Sequence, residues 1–408
     1  MRFNTELLRG NGIEPSPKRE IVPPISQTVS FQYERMEDLE RVFRREKSGY
    51  AYTRVGNPTI TALERRISDL ERGFSAICCS SGMSALAAAI LAICQSGDEI
   101  LAVNGFYGGT YDLFRNLDRL GIRTVFAPEG SDPREFVTER TRAILGELIA
   151  NPSLSVLDVP RVADFAREAG IPLIVDSTTA TPYLARPLEL GASVVVHSTT
   201  KYINGGGNSV GGVVVDGGKF PWDFARFPTL AEYRKYGKYA LSAALRNDVC
   251  ENFGWALAPT GAFLTGIGLD TLGLRMERIC GNADALANAL AATGKVEVNY
   301  LTLPSHPCHK TAQRLFRGLG GGILSFRAGS KERAFRIINS LKRATIASNL
   351  GDVRTLVIHP ASTLYLHSGE EAARAAGVFD DTVRVSVGIE DAEDLVEDFV
   401  GAVESAAE

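Results

Sequence analysis

Two short apolar runs, each ending in polar groups, constrain this chain more than any other feature of it. Ile171–Val175 is wholly apolar, as expected of a strand buried on both faces of a parallel sheet, and it ends on Asp176. Small polar residues follow: Ser177, Thr178 and Thr179. Ser193–Val196 ends the same way, on His197, Ser198, Thr199, Thr200 and Lys201, ahead of a glycine-rich loop. Neighbouring strands of this kind deliver a carboxylate and an amine to one rim of an open α/β sheet, and that rim is where ligands bind. An aspartate and a lysine so placed could equally form an ion pair. The hydroxyls shift the balance, because Ser198 and Thr200 lie at alternate positions just before Lys201 and point the same way if the segment is extended.

The remaining chain continues the α/β alternation. Ser75–Cys79 reads as a strand, and Ser80-Ser81-Gly82 then opens a helix from Met83 to about Gln95 that is apolar nearly all round and hence buried. A small-residue turn entering a helix offers free amides to an anion. The strand Glu99–Val103 ends in NGFYGGTY, which holds Tyr107 between glycine-bearing turns. A helix (Tyr111–Leu120) and two strands (Ile122–Ala127, Arg142–Glu147) follow, the second running into ELIANP, where Pro152 drives Asn151 out of helical conformation. Asp158 is placed to cap a helix to Ala169, and GGVVVDGGKF adds a strand after Lys201. A helical stretch from Asn252 to Ala292, broken around Pro259, leads to a smaller unit. There, strands (Val296–Leu301, Gly322–Arg327, Arg343–Ile346, Thr382–Val387) alternate with helices near 331–341 and 391–405. Residues 1–60, with prolines at 15, 17, 23 and 24 and a charged helix over Met36–Lys47, read as an arm lying over something else. The division expected is an arm (1–60), an α/β domain (61–255) and a C-terminal α+β domain (256–408).

Several classes are disfavoured. With 44 basic against 48 acidic residues the net charge is −4, which argues against a nucleic-acid surface. Aromatic and basic residues do concentrate over Phe220–Leu245, but acidic residues intersperse them, and a lid or subunit contact fits better. The longest apolar stretch, Leu86–Cys94, is too short to span a membrane, and MRFNTELLRG lacks the apolar core of a signal peptide. Six cysteines without CxxC spacing read as reduced thiols of a cytoplasmic protein. His306, Cys308 and His309 cluster without a fourth ligand at useful spacing, so no metal is expected. Arg384, one residue into a buried-looking strand, is costly unless it meets an anion. That anion could be Asp352, Glu390 or Asp391.

A lysine, an aspartate and a hydroxyl pair suit pyridoxal 5'-phosphate, which offers an aldehyde to an amine, a ring nitrogen to an anion and a phosphate to donors. DSTTATPYL followed by HSTTKYINGG resembles the signature of the cysteine/methionine-metabolism family of pyridoxal-phosphate enzymes, within the aspartate-aminotransferase-like fold (fold type I): a large, mostly parallel sheet domain and a smaller C-terminal α+β domain. The resemblance runs from about Thr28 to the C-terminus, with motifs in family order. It implies that Lys201 bonds the cofactor, that Asp176 holds the ring nitrogen, and that Ser81, Gly82, Met83, Ser198 and Thr200 take the phosphate, with Thr178 also contacting the cofactor. YTRVGNPT resembles the segment that sends Tyr52 and Arg54 to the phosphate in a neighbouring subunit. YGGTY makes Tyr107 the ring stacked on the cofactor and a proton carrier, and E-x-x-x-N-P makes Asn151 the partner of the ring hydroxyl. NLGD and RVSVGIED make Asn349 and Arg384 the residues that grip the substrate α-carboxylate.

VDGGKFPW, LRMER, NLGD and VIHPAST most resemble the family's O-acetylhomoserine sulfhydrylases. The activity this implies is γ-replacement on O-acetyl-L-homoserine by sulfide or methanethiol, in homodimer pairs forming a homotetramer. The alternatives on the same scaffold are methionine γ-lyase, cystathionine γ-synthase and O-succinylhomoserine sulfhydrylase, with a non-catalytic scaffold as the reading from another class. Gly109 stands where the family's γ-lyases carry a cysteine, and Ser348 where its cystathionine-handling members carry a glutamate.

Overall fold

The structure is a computed structural model that describes residues 1–10, 20–128, 130–366, 373–374 and 376–406; the prolines expected to shape the arm at 15 and 17 lie outside that range. Seven strands build the first sheet: β1 (Ser75–Cys79), β2 (Glu99–Ala102), β3 (Arg123–Phe126), β4 (Thr141–Glu147), β5 (Leu173–Asp176), β6 (Val194–His197) and β7 (Gly212–Asp216). Their spatial order is β1-β7-β6-β5-β4-β2-β3. β7 is antiparallel to both neighbours and every other pairing is parallel, so β1, β6, β5, β4 and β2 all run the same way and end at one rim.

The apolar strands are short because both faces are covered. Leu173, Val175 and Val195 pack into one core, while Ile174, Val194 and Val196 pack into the other. That is the two-residue period of a strand with no solvent side. The second core closes under α4 (Gly82–Leu91), whose alanines and leucines are buried almost all round. It also takes in residues of the aromatic segment expected to be a lid or subunit contact. Phe227 is fully buried, and Phe220, Trp222 and Phe227 meet edge to face at centroid distances of 4.6–5.9 Å. Those rings are therefore internal packing of this chain, with Tyr239 left half exposed.

A second sheet, β10-β11-β12-β9-β8, is made from β8 (Glu297–Asn299), β9 (Ile323–Arg327), β10 (Thr345–Ile346), β11 (Leu356–Ile358) and β12 (Thr382–Ser386). Only β10 and β11 pair in parallel. β11 was not legible in advance, since its apolar run is only three residues long. The helical stretch entering this unit breaks at Thr271 as well as before Pro259, giving helices Pro259–Asp270 and Leu272–Ala292.

Three local expectations change. Asp158 does not cap its helix (Val159–Glu168) through its side chain, but pairs with Arg314 at 2.7 Å. α4 stops at Leu91 rather than Gln95. The start of the arm is docked: α1 (Phe3–Arg9) buries Leu7 in the first core, and buried Glu6 pairs with Arg72 and Arg186. Ile21, Val29, Met36 and Phe43 beyond it stand exposed.

Candidate active site

Five strand ends supply the site. β5 delivers Asp176, whose carboxylate accepts the backbone N–H of Thr178 at 2.9 Å and the Thr178 hydroxyl. That hydroxyl also accepts the N–H of Ser198 at 2.8 Å, which ties the end of β5 to the end of β6. Burial pushes the Asp176 carboxyl above its usual range, against the two Thr178 hydrogen bonds and the charge of His197. His197 is itself buried, with Nε2 2.7 Å from Glu71 Oε1.

Lys201 follows β6, but not in an extended segment. Residues 199–204 form a turn, closed by Asn204 N–H to Thr199 O at 3.0 Å and Gly205 N–H to Lys201 O at 2.8 Å. Ser198 and Thr200 therefore do not alternate around the lysine as on a strand. The Thr200 hydroxyl instead exchanges hydrogen bonds with Gly211, at 3.1 Å to its carbonyl and 3.0 Å from its amide. Lys201 Nζ donates to Asn349 Oδ1 at 2.6 Å. Burial, and then the charge of Arg384, lower the amine to about 8. An amine so poised is a nucleophile and base near neutrality.

β1 ends at the turn that opens α4. Ser81 is its N-cap, accepting Ser84 N–H at 3.0 Å while the Ser84 hydroxyl accepts Ser81 N–H at 2.9 Å. Gly82 abuts Ser198 so closely that a Cβ would stand 2.5 Å from the Ser198 Cβ. The amides of Gly82 and Met83 thus lie at a helix N-terminus directly beside the lysine turn.

β2 leads to Tyr107, and β4 to Glu147 and Asn151. Tyr107 is partly exposed at the mouth of α5 (Gly108–Arg119), and burial raises its phenol while Arg384 opposes the rise. The Asn151 side-chain oxygen is buried with no partner among the described residues.

Arg384 reaches the same place from β12. It is 1 % exposed, donates through Nη2 to Asn349 O at 2.6 Å, and leaves Nε buried with no partner among the described residues. None of the carboxylates considered for it is its partner. Asp352 holds Arg354, Glu390 binds Thr355, and Asp391 holds Arg278. Burial lowers the guanidinium to about 10. A cation kept at that cost, beside the lysine and without a carboxylate among the described residues, is arranged for an anion from outside.

Tyr52 and Arg54 are both exposed. They contact each other, the guanidinium 5.4 Å from the ring centroid, and Arg54 donates to Glu251 O. The reading from sequence gave no role to Glu147, which accepts the Tyr107 N–H at 2.6 Å, or to Tyr365, whose hydroxyl lies 3.0 Å from the carbonyls of both Phe106 and Asn151. Glu147 carried the signal that marked Asp176, a carboxylate at the end of an apolar run.

The donor set suits a phosphorylated, aldehyde-bearing aromatic cofactor. It comprises a depressed lysine amine, a half-buried carboxylate with no lysine or arginine ion pair among the described residues, and a helix N-terminus with a glycine where a Cβ would collide. Together with the two-sheet α/β fold, these define a pyridoxal-phosphate-dependent enzyme of fold type I. Comparison then settles the family. The chain belongs to the Cys/Met metabolism PLP-dependent enzymes, which it matches over residues 4–404. It is 41 % identical to a homocysteine synthase of Schizosaccharomyces pombe, covering 94 % of each chain. It is 40 % identical to an O-acetyl-L-homoserine sulfhydrylase of Thermus thermophilus, covering 97 % of this chain and 98 % of the other. A solved structure from Campylobacter jejuni, provisionally designated an O-acetylhomoserine (thiol)-lyase, superimposes with a TM-score of 0.92 at 31 % identity. It covers 98 % of this chain and 99 % of that one, and carries N'-pyridoxyl-lysine-5'-monophosphate.

Proposed function

We propose that this enzyme carries out γ-replacement on O-acetyl-L-homoserine: sulfide or methanethiol displaces acetate, and homocysteine or methionine is formed. The observation that carries the reading is the buried Arg384 clamped to Asn349, whose side chain also holds Lys201. One residue thus joins a carboxylate-sized cationic site to the reactive amine.

Bound to Lys201, the cofactor supplies an electron sink for charge developing at the substrate Cα. Arg384, with Asn349, grips the α-carboxylate through its free Nε edge and orients Cα toward Lys201. Lys201, freed when the substrate amine takes its place, would use its lowered affinity for protons to take the Cα proton and later return it. A Cβ proton would then be removed as the Cγ–O bond breaks and acetate leaves with that bond pair; a sulfur lone pair would form the Cγ–S bond, its S–H proton passing to a base of the site, and Cβ and Cα would be reprotonated. Tyr107 would lie against the cofactor ring and carry protons, Asp176, oriented by Thr178, would pair with the ring nitrogen, and Asn151 would meet the ring hydroxyl. Ser81, Gly82, Met83, Ser198 and Thr200 would hold the phosphate. Tyr52 and Arg54 act in the site of a second copy of the chain, a reading supported by their exposure. The arrangement proposed is dimer pairs within a cytoplasmic homotetramer, with an arm (1–60), a cofactor domain (61–255) and a C-terminal domain (256–408).

Ser348 is exposed beside Asn349 and offers no carboxylate to a second ammonium, so an amine-bearing thiol gains nothing there. The test is competition between equal cysteine and sulfide for acetylhomoserine. Homocysteine should predominate; predominant cystathionine, or faster release of α-ketobutyrate from methionine, overturns the assignment.

A further inference from the structure

The reaction above uses Asp176 but makes no use of the carboxyl beside it. Glu147 ends β4 directly opposite Asp176 on β5, is 6 % exposed, and has no ion pair among the described residues. Its Oε1 accepts the Tyr107 N–H at 2.6 Å, and the carboxylate also accepts the backbone N–H of Asn151. One side chain therefore holds both the loop after β2 and the loop after β4. Tyr365, from the C-terminal half, touches the carbonyl side of the same two loops.

We propose that Glu147 is a positioning residue that sets Tyr107 and Asn151 in register with each other across the cofactor's place, from a single buried carboxyl. An apolar residue there would leave two buried N–H groups unsatisfied, and a basic one would compete for Asp176. The groups facing Glu147 are Asp176 from β5, Tyr107 and Tyr111 from the α5 segment, and Tyr365. Burial, and then the charge of Asp176, hold its carboxyl well above the usual range against the two amide donors.

The inference rests on the assignment of Lys201 and Tyr107 above, and the experiment separates the two. Glu147→Gln, Glu147→Ala and Glu147→Asp are compared as holoenzymes by kcat, cofactor dissociation constant and visible circular dichroism of the cofactor band. Glutamine keeps a neutral acceptor, so it should stay within about threefold of the wild type with the dichroic band unchanged. Alanine should lower kcat and weaken cofactor binding by about tenfold or more each, with an altered band at matched occupancy. If the alanine variant does not fold, aspartate carries the test: it keeps the carboxyl, withdraws the acceptor by one methylene and should show the same losses. Wild-type kcat and dichroism in the alanine or aspartate variant overturn the proposal, as does a glutamine variant as damaged as alanine. A wild-type protein without a lysine-linked cofactor band would instead refute the underlying site assignment.

Discussion

Replacing Arg384 by methionine tests whether its guanidinium is held for substrate or for the fold, because the two roles move stability in opposite directions. The side chain is 1 % exposed and burial lowers its guanidinium from the ordinary arginine range to about 10. At roughly 1.4 kcal/mol per pKa unit, keeping the charge in the free enzyme costs on the order of 3 kcal/mol. Methionine removes that cost but strands the Asn349 carbonyl, a loss of about 1–3 kcal/mol. The net change in stability is then about 0–2 kcal/mol in favour of the variant, a midpoint in denaturant that is unchanged or higher. Substrate loses a charge-assisted fork of two bonds at about 1.5–3 kcal/mol each, so kcat/KM for acetylhomoserine should fall by roughly 10²–10⁴-fold. Denaturation of the cofactor-free protein and steady-state kinetics of the holoenzyme read the two arms. A variant that unfolds several kcal/mol more easily, yet retains kcat/KM per folded molecule within tenfold, refutes the argument and makes Arg384 a structural residue.

Three further outcomes are expected. Lys201 has its folded-state pKa lowered from 10.5 to about 8, so between those values the unfolded chain binds more protons and stability rises with pH; cofactor-free wild type should gain stability from pH 8 to 10 relative to Lys201→Met, and parallel curves would contradict the shift. Mixing inactive Arg54→Ala with inactive Lys201→Ala protein should restore partial activity through hybrid sites, and confirmed subunit exchange without recovery counts against sharing. A Cβ at Gly109 would stand 2.6 Å from Tyr107 Cε1, so Gly109→Cys should displace the ring, lower kcat about tenfold or more and change the visible dichroism; an unchanged band would show that the ring is not held over the cofactor.

What the sequence determined by itself is the set of strand ends. Ile171–Asp176 and Val194–Lys201 are local signals: an apolar run must be buried, it stops where the chain meets water, and polar residues just beyond it lie at the rim whatever the rest of the fold does. The same logic placed Ser81, Tyr107 and Asn151, and family order tied them to one cofactor. The tertiary structure alone decided how the rim closes. The Lys201 segment is a turn because β7 runs antiparallel beside β6 and brings Gly211 to the Thr200 hydroxyl, a contact that no local pattern encodes. Among the described residues Arg384 has no carboxylate partner, because Asp352, Glu390 and Asp391 are taken by Arg354, Thr355 and Arg278. Glu147 became a holding group only when β4 and β5 set it against Asp176 and the β2 loop presented the Tyr107 amide. Each of these depends on charges and donors far apart in the chain sharing one low-dielectric space, where their energies are set by what else is there.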